Sequence, residues 1–435
     1  MFEYIVRFAR YAGNTALLIV TMVTVGVAGL IFAETVPDRW VVEVLEEAAA
    51  SGALTRAEQP FDDAGAQVDR WSECVTMSVG LGEPAGQSIL DTAALAPHLG
   101  PCRRLIDNLS PYDGATAAAA SSTYLRYWHG SVVVVRPVLA AFGVGGMRVV
   151  GMLAVVVSGA ALVGVIRRRV GSAAAVGLAA PVVLTTSVLS LPGSIHQALA
   201  FSVGVGGAAL AAAVSAGGLS SSRVWYPAVA AGAAFVYVDL LTVVPGQWAL
   251  LAAGVGTMAM RAGRSAAATA GWMLLAGCGW LTGYAGMWSG KWVFAALFVG
   301  RRRVVDDVRS TISQRLDGES DWSEPGFGNA IGKNIEQFGD RPFATTLLVV
   351  ILALVLATVV RRPRAEVATR SVVASTALVP LIWFETLSNH SQIHAWFTYR
   401  SIPLALGIVA MAFLARWPDG VDGDPGVVAS GPPSS

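Results

Sequence analysis

The side chains best able to do chemistry crowd into one stretch near the C-terminal end, Glu-Thr-Leu-Ser-Asn-His-Ser-Gln-Ile-His-Ala-Trp-Phe-Thr-Tyr-Arg at 385–400. It carries a carboxylate (Glu385), two imidazoles (His390 and His394) and a guanidinium (Arg400). His390 and His394 are four positions apart and share a face if the stretch is helical. Two such imidazoles can ligate a metal. Glu385, or Asp239 from across the chain, is the only nearby candidate for a third ligand, so the histidines are read instead as hydrogen-bonding to a polar substrate, to Glu385 or to Asn389. Arg400 requires an anion. That anion is Asp239, Glu385 or a substrate phosphate, which arginine grips with two parallel bonds.

Four further motifs mix aromatic and ionisable residues. They are Tyr-Leu-Arg-Tyr-Trp-His-Gly at 124–130, Leu-Pro-Gly-Ser-Ile-His at 191–196, Tyr-Val-Asp-Leu-Leu-Thr-Val-Val-Pro-Gly-Gln at 237–247, and Trp-Leu-Thr-Gly-Tyr-Ala-Gly-Met-Trp-Ser-Gly-Lys-Trp at 280–292. Trp and Tyr collect at membrane faces for amphipathic reasons alone. That does not account for Arg126, His129, His196, Asp239 and Lys291 gathering with them, because ionisable groups in or beside spans are costly. Lys291, between Trp288 and Trp292, either snorkels to the surface or holds a phosphate or lipid headgroup. A fifth kind of group comes from the segment Asp-Arg-Trp-Ser-Glu-Cys at 69–74, where Asp69 and Glu73 flank a Trp and precede an apolar run. Burial beside apolar surface raises a carboxyl pKa, which makes these two acids candidates for a general base.

The elements that must position these groups are membrane spans. Of 435 residues, 54% are apolar and 14% charged, against roughly a quarter charged in soluble domains. An all-α integral membrane protein is therefore expected, a polytopic bundle. Ten apolar stretches approach the ~20 residues that a spanning helix needs: near 14–33, 147–166, 172–191, 197–216, 225–243, 246–261, 267–286, 343–360, 371–388 and 397–415. The first of them reads as a retained span rather than a cleaved leader. With ten spans, Arg7, Arg10, Arg167, Arg168, Arg169, Arg223, Arg261, Arg264, Arg361, Arg362, Arg364, Arg370 and Arg416 all fall on one side. The positive-inside rule makes that side cytoplasmic. Both termini are then inside and all five motifs outside. Arg301, Arg302 and Arg303 dissent, but they lie in a long outer segment, where the rule is weak.

The expected organisation is an N-terminus and first span (1–33), a long extracytoplasmic loop with a surface or re-entrant helix (34–145), six spans (146–286), and a second extracytoplasmic segment bearing amphipathic helices (287–341). Three spans (342–416) and a disordered cytoplasmic tail (417–435) follow. Val304, Val305, Val308, Ile312 and Leu316 give the second outer segment a helical apolar spacing. Of the three cysteines, Cys278 sits in a span, and Cys74 and Cys102 can pair if their loop faces an oxidising compartment.

Read in order, the motifs at 126–130, 237–245, 280–292 and 389–400 resemble those of a family of bacterial polytopic membrane proteins. The layout is similar to that of the superfamily C (GT-C) glycosyltransferases. That resemblance implies a helical bundle, an essential acid in a long first outer loop, and sugar transfer on the outer face from a polyprenyl-phosphate donor. This chain departs from the commonest pattern in having only Glu34 and Asp38 after the first span, rather than an immediate acidic pair. The implied roles are a general base at Asp69 or Glu73, a phosphate site at Arg400, Lys291 and Arg126, and a sugar pocket shaped by His129, His196, His390, His394, Asp239 and Glu385. The implied partners are membrane lipids, the lipid-linked donor and a glycan, lipid or protein acceptor. Nucleic acid is not among them. No cofactor is demanded, although an acid-bound divalent cation at the phosphate is compatible with the chemistry. The competing readings are a transporter or flippase for a polar or lipid-linked substrate, or a non-catalytic membrane assembly protein.

Overall fold

The computed structural model describes residues 2–56, 69–82, 87–109, 112–186, 188, 190–317 and 323–417. The expected tail beyond Trp417 lies outside the described residues. The chain is all-α apart from a two-residue strand pair. Helix α1 (Phe2–Glu34) is followed, in what the sequence marks as the first outer segment, by α2 (Asp38–Ala50), α3 (Arg70–Met77), α4 (Ile89–Leu95), α5 (Cys102–Asp107) and α6 (Gly114–Ala120). Short polar caps start three of these helices by satisfying first-turn amides. Asp69 accepts from Ser72 N at α3, Ser88 and Asp91 form a capping box at α4, and Asp113 accepts from Ala115 and Thr116 at α6. Strands β1 (Pro97–His98) and β2 (Ser122–Thr123) pair antiparallel, His98 opposite Ser122. Cys74 and Cys102 form a disulfide. Val41, Leu45, Met77, Leu99 and Leu105 make a small core of their own, closed by Val135, Leu139 and Ile195.

The bundle follows: α7 (Val132–Arg169), α8 (Ser172–Thr185), α9 (Ile195–Ala216), α10 (Ser221–Val238), α11 (Val244–Arg261) and α12 (Ala266–Val299). The stretch at 131–145, expected as a surface or re-entrant helix, is continuous with a long helix. It is the first part of α7, broken from the rest at Gly143 (φ 69°). Arg136 within it is fully buried and pairs with Glu34 (3.4 Å) and Asp38 (2.6 Å), which ties the two acids after α1 into the fold. Helix α12 runs 34 residues, about 51 Å, so the motif at 280–292 is wholly helical and the segment expected outside the membrane leaves the helix only at Gly300. That segment holds α13 (Arg301–Asp317), the expected amphipathic helix, and α14 (Asn329–Gly339). The chain ends with α15 (Ala344–Arg361), α16 (Arg364–Ala374), α17 (Val379–Thr386), α18 (Ser388–Ile393), α19 (Ala395–Thr398) and α20 (Ser401–Leu414).

Among the described residues, six stretches are long and apolar enough to cross a membrane: Ala9–Glu34, Val132–Arg169, Ile195–Ala216, Ala344–Arg361, Arg364–Thr386 and Ala395–Leu414. The chain is thus an all-α, multi-pass membrane protein. The count of ten is not reached on these grounds. Helix α8 has only 14 residues, and α10, α11 and α12, though helical where expected, carry too much Gly, Ser, Trp and Arg. Small residues instead let them pack closely. A Cβ on Gly283 would stand 1.9 Å from Val229 O, and one on Gly232 2.0 Å from Trp280 O, so α10 and α12 touch backbone to backbone.

The bundle has two unlike ends. At one, the arginine-rich connectors meet. Arg416 N donates to Val170 O (3.0 Å), Arg261 Nη1 to Arg416 O (2.8 Å), and Arg370 to Glu366 and the carbonyls of Ala412, Phe413 and Ala415. At the other lie the first outer segment, α13, α14 and the five motifs.

Candidate functional site

The motifs are pinned to one another by indole and backbone donors. Gly130 N donates to Tyr237 O at 2.7 Å, and a Cβ on Gly130 would sit 2.2 Å from the Tyr237 ring, so only glycine allows that approach. Trp128 Nε1 donates to Met287 O (2.8 Å), and Trp288 and Trp292 donate to Arg126 O (2.8 and 3.3 Å). His390 Nε2 lies 3.0 Å from Leu241 O, and Ser194 Oγ donates to Asp69 O at 3.1 Å. His129 (φ 51°) and Leu241 (φ 66°) hold left-handed backbone, which costs energy without glycine.

These contacts frame a cavity of about 610 Å³ at the end of the bundle. The first outer segment contributes Trp71, Ser72, Tyr124, Arg126 and Tyr127, α13 contributes Arg315, and helix ends and connectors contribute His196, Thr242, His390, His394, Trp396 and Phe397. Among its described lining residues are two guanidiniums and no carboxylate. Arg126 is braced from outside by both oxygens of Asp307 (3.1 and 3.2 Å) and lies over the Tyr124 and Tyr127 rings at 5.1 Å. Arg315 donates to Tyr127 Oη (3.2 Å) and meets His390 Nδ1. The Nε of each arginine is buried with no partner, as is Nε2 of His196. His394 stacks on Phe397 at 5.0 Å and meets His390 edge-on at 4.7 Å.

Directly behind Ser72 lies Asp69, 1% exposed. Its Oδ1 accepts from Ser72 N and its Oδ2 from Gln197 Nε2, both at 2.8 Å, while Arg400 Nη1 donates to Gln197 Oε1. The neutral amide therefore bridges a buried carboxylate and a buried guanidinium contributed by the two halves of the chain. Burial pushes the Asp69 carboxyl up to about 6, against the pull of its Ser72 and Gln197 bonds and the Arg400 charge.

Not every candidate reaches this region. Glu73 is fully buried in ion pairs with Arg70 (3.1 Å) and Arg148 (3.0 Å). Lys291 Nζ donates to Ala93 O and Ala94 O, both at 2.9 Å, so it ties α12 to the C-terminal carbonyls of α4. Glu385 accepts from Gly328 N (2.9 Å) and Ile331 N (3.0 Å) and so completes the first turn of α14. Asp239 caps the turn to Thr242, and that threonine faces the cavity. His129 is buried and stacks on Tyr124 at 5.4 Å, and His98 packs on the same ring at 4.6 Å. Burial holds His98 down to about 4 and His129 well below its ordinary value, so both are neutral.

No family model, curated protein or solved structure matches the chain. The geometry alone assigns the site. The sequence motifs include Trp71, Tyr124 and Tyr127 but give them no part in the site, and leave out Arg315 and Gln197. Gln197 directly follows the His196 motif, and Arg315 shares a helical face with Val304 and Val308, two cues that could have flagged them. Among the described residues no three His, Cys, Asp or Glu side chains gather as a metal set. What remains is a cationic, aromatic-walled cavity fitted for an anionic group joined to a ring that can stack, with a carboxylate poised near neutrality behind it.

Proposed function

We propose that the chain is a membrane glycosyltransferase of the GT-C kind, moving a sugar from a polyprenyl-phosphate donor to an acceptor hydroxyl in the cell envelope. The observation that carries this reading is the cavity's place and lining. It sits at the end of the bundle among loop, surface helix and helix ends, with two arginines, five aromatic rings and no described carboxylate in its wall. A transporter site would reach toward the middle of the spans and be lined by them.

In this reading Arg126 and Arg315, not Lys291 or Arg400, hold the donor phosphate. Asp69 is the general base, working directly or through one water, since Ser72 and His196 line the cavity beside it. The acceptor hydroxyl loses its proton to Asp69, its oxygen bonds to the anomeric carbon, and the bond from that carbon to the phosphate oxygen breaks. The lipid phosphate leaves with the electron pair, and the guanidiniums offset its charge. Arg400 acts through Gln197 to keep Asp69 largely ionised at neutral pH. Aromatic faces and the imidazoles of His196, His390 and His394 suit sugar rings and hydroxyls. Gathering of the arginine-rich connectors at the far end supports a cytoplasmic location for that end, with both termini there. The Cys74–Cys102 disulfide supports an extracytoplasmic cavity in a bacterial inner membrane. Ten crossings fit this alternation of helix ends.

The test is a deletion strain whose envelope glycans are profiled by mass spectrometry, complemented with wild type, Asp69→Asn, and Arg126→Ala with Arg315→Ala. The expected result is one missing sugar in the null strain, restored by wild type alone. Unaltered glycans in the null strain would refute the activity. Rescue by both variants would remove the residue roles.

A further inference from the structure

Helix α13 is attached to the rest of the protein in an unusual way. It leaves α12 at Gly300, where φ is +93° and no atom lies within 4 Å of a would-be Cβ. A shallow concavity of about 520 Å³, lined by Val299, Gly300, Arg302, Arg303 and Asp306, leaves room beside this joint. Its apolar contact is a small satellite cluster in which Val304 and Val308 meet Leu125, Trp292 and Ala295, separate from the main core. Among the described residues the rest of its hold is polar and concentrated at the cavity: Asp307 on Arg126, Arg315 on Tyr127 and His390, and Gln314 O accepting from Asn389. Its other faces, with Arg301, Arg302, Arg303, Val305, Arg309 and Ile312, are exposed or partly so.

We infer that α13 is a hinged cover over the cavity, turning at Gly300 as a rigid helix and latched shut by the Asp307–Arg126 pair together with Arg315. The latch pair is only partly buried, at 17% and 27% exposure for Arg126 and Asp307. Pairs of that kind contribute little individually. A helix joined through a glycine with open space around it can swing by parting only that satellite cluster, leaving the main core packed. Both cavity arginines are latch members, so an anion that claims them competes with Asp307 and His390. Entry of a charged group and release of the cover are thereby linked. The cover does not depend on the ligand being a sugar donor.

The test uses the full-length protein in detergent, with Cys278 replaced by Ala and Leu240, in the cavity wall on a different element, replaced by Cys. The rate of maleimide labelling at position 240 reports access. Asp307→Asn is expected to raise the rate about fivefold, the factor given by ~1 kcal/mol of lost latch, and Asp307→Glu to leave it near the parent value. Arg309→Gln, on an exposed face of the same helix, should not change it. Hydrogen exchange within α13 should stay as slow in Asp307→Asn as in the parent. An unchanged labelling rate in Asp307→Asn overturns the latch. Equal acceleration by Arg309→Gln, or fast exchange along the whole of α13, overturns the rigid cover in favour of a helix that melts.

Discussion

Replacing Asp69 with Asn should stabilise the protein at pH 8 and leave it unchanged at pH 4. The folded protein holds this carboxyl at about 6, from an ordinary value of 3.8, chiefly because it is buried. A raised acid binds its proton more tightly in the folded state than in the unfolded one. Its contribution is therefore fully present below pH 3.8 and is lost as pH rises through about 6. Moving a carboxyl from 3.8 to about 6 corresponds to ~3 kcal/mol. Because the group is buried, solvent screening does not reduce that figure, and the attraction of Arg400 is already inside it. Asn keeps the helix cap on α3, since Asn and Asp cap about equally well. It also mimics the protonated acid, so any mismatch its amide meets at Gln197 Nε2 is met by protonated Asp69 as well and cancels in the comparison. For a chain of this length the gain is about 3 °C in the unfolding midpoint. The assay is thermal unfolding in detergent, followed by tryptophan fluorescence, for both proteins from pH 4 to 8. The midpoint difference should be near zero at pH 4, grow through pH 4–6 and level off above it. A flat difference, or one that grows as pH falls, refutes the claim that the protein sacrifices stability to keep Asp69 ionised.

Three further outcomes are expected. Replacing Cys74 and Cys102 with Ser opens a loop of sequence separation 28 and should cost roughly 3–4 kcal/mol, read as faster limited proteolysis within the first outer segment than in the bundle. Arg136→Met leaves Glu34 and Asp38 without their cation and should lower stability by about 3–5 kcal/mol, with part recovered when both acids are changed to their amides in the same protein, measured by thermal unfolding. Gly283→Ala forces a methyl to within 1.9 Å of Val229 O and should cost ~2 kcal/mol or more by prying α12 from α10, whereas Gly271→Ala, with nothing within 4 Å, should be neutral in the same unfolding assay.

How far the residues announced this structure depends on what each had to meet. Long apolar helices were legible, because lipid leaves a backbone no other way to satisfy itself. The meeting of the five motifs was legible too, since arginines, histidines and indoles at span ends need partners. Which partner each one finds was not. Lys291 and Glu385 look like a phosphate clamp and a sugar ligand on paper. In the fold, two carbonyls of α4 absorb one and the first turn of α14 absorbs the other. No local pattern foretells a contact nearly 200 residues away, as between Lys291 and Ala93. Arg315 escaped for the opposite reason: on an amphipathic helix it reads as a solvated charge. Gln197 escaped because a neutral amide carries no cost that marks it.

Satisfaction of buried polar groups separates scaffold from site without any appeal to kinship. Arginine is buried at both ends of the bundle. Arg370, at the connector end, commits its donors to Glu366 and three carbonyls. Arg126 and Arg315, at the cavity, each keep an unpartnered Nε. The same contrast holds across the molecule. Of the described buried side-chain atoms lacking a partner, only Ser215 Oγ belongs to the connector end; those of His98, His129, His196, Gln247, Asn389 and Ser391 cluster at the other. An unpaired buried polar atom costs on the order of 1–3 kcal/mol, and left-handed backbone at His129 and Leu241 adds to that. A fold tolerates such costs in one place when something else, bound there, offsets them. At the cavity end both kinds of cost, unpartnered polar atoms and left-handed backbone, fall together.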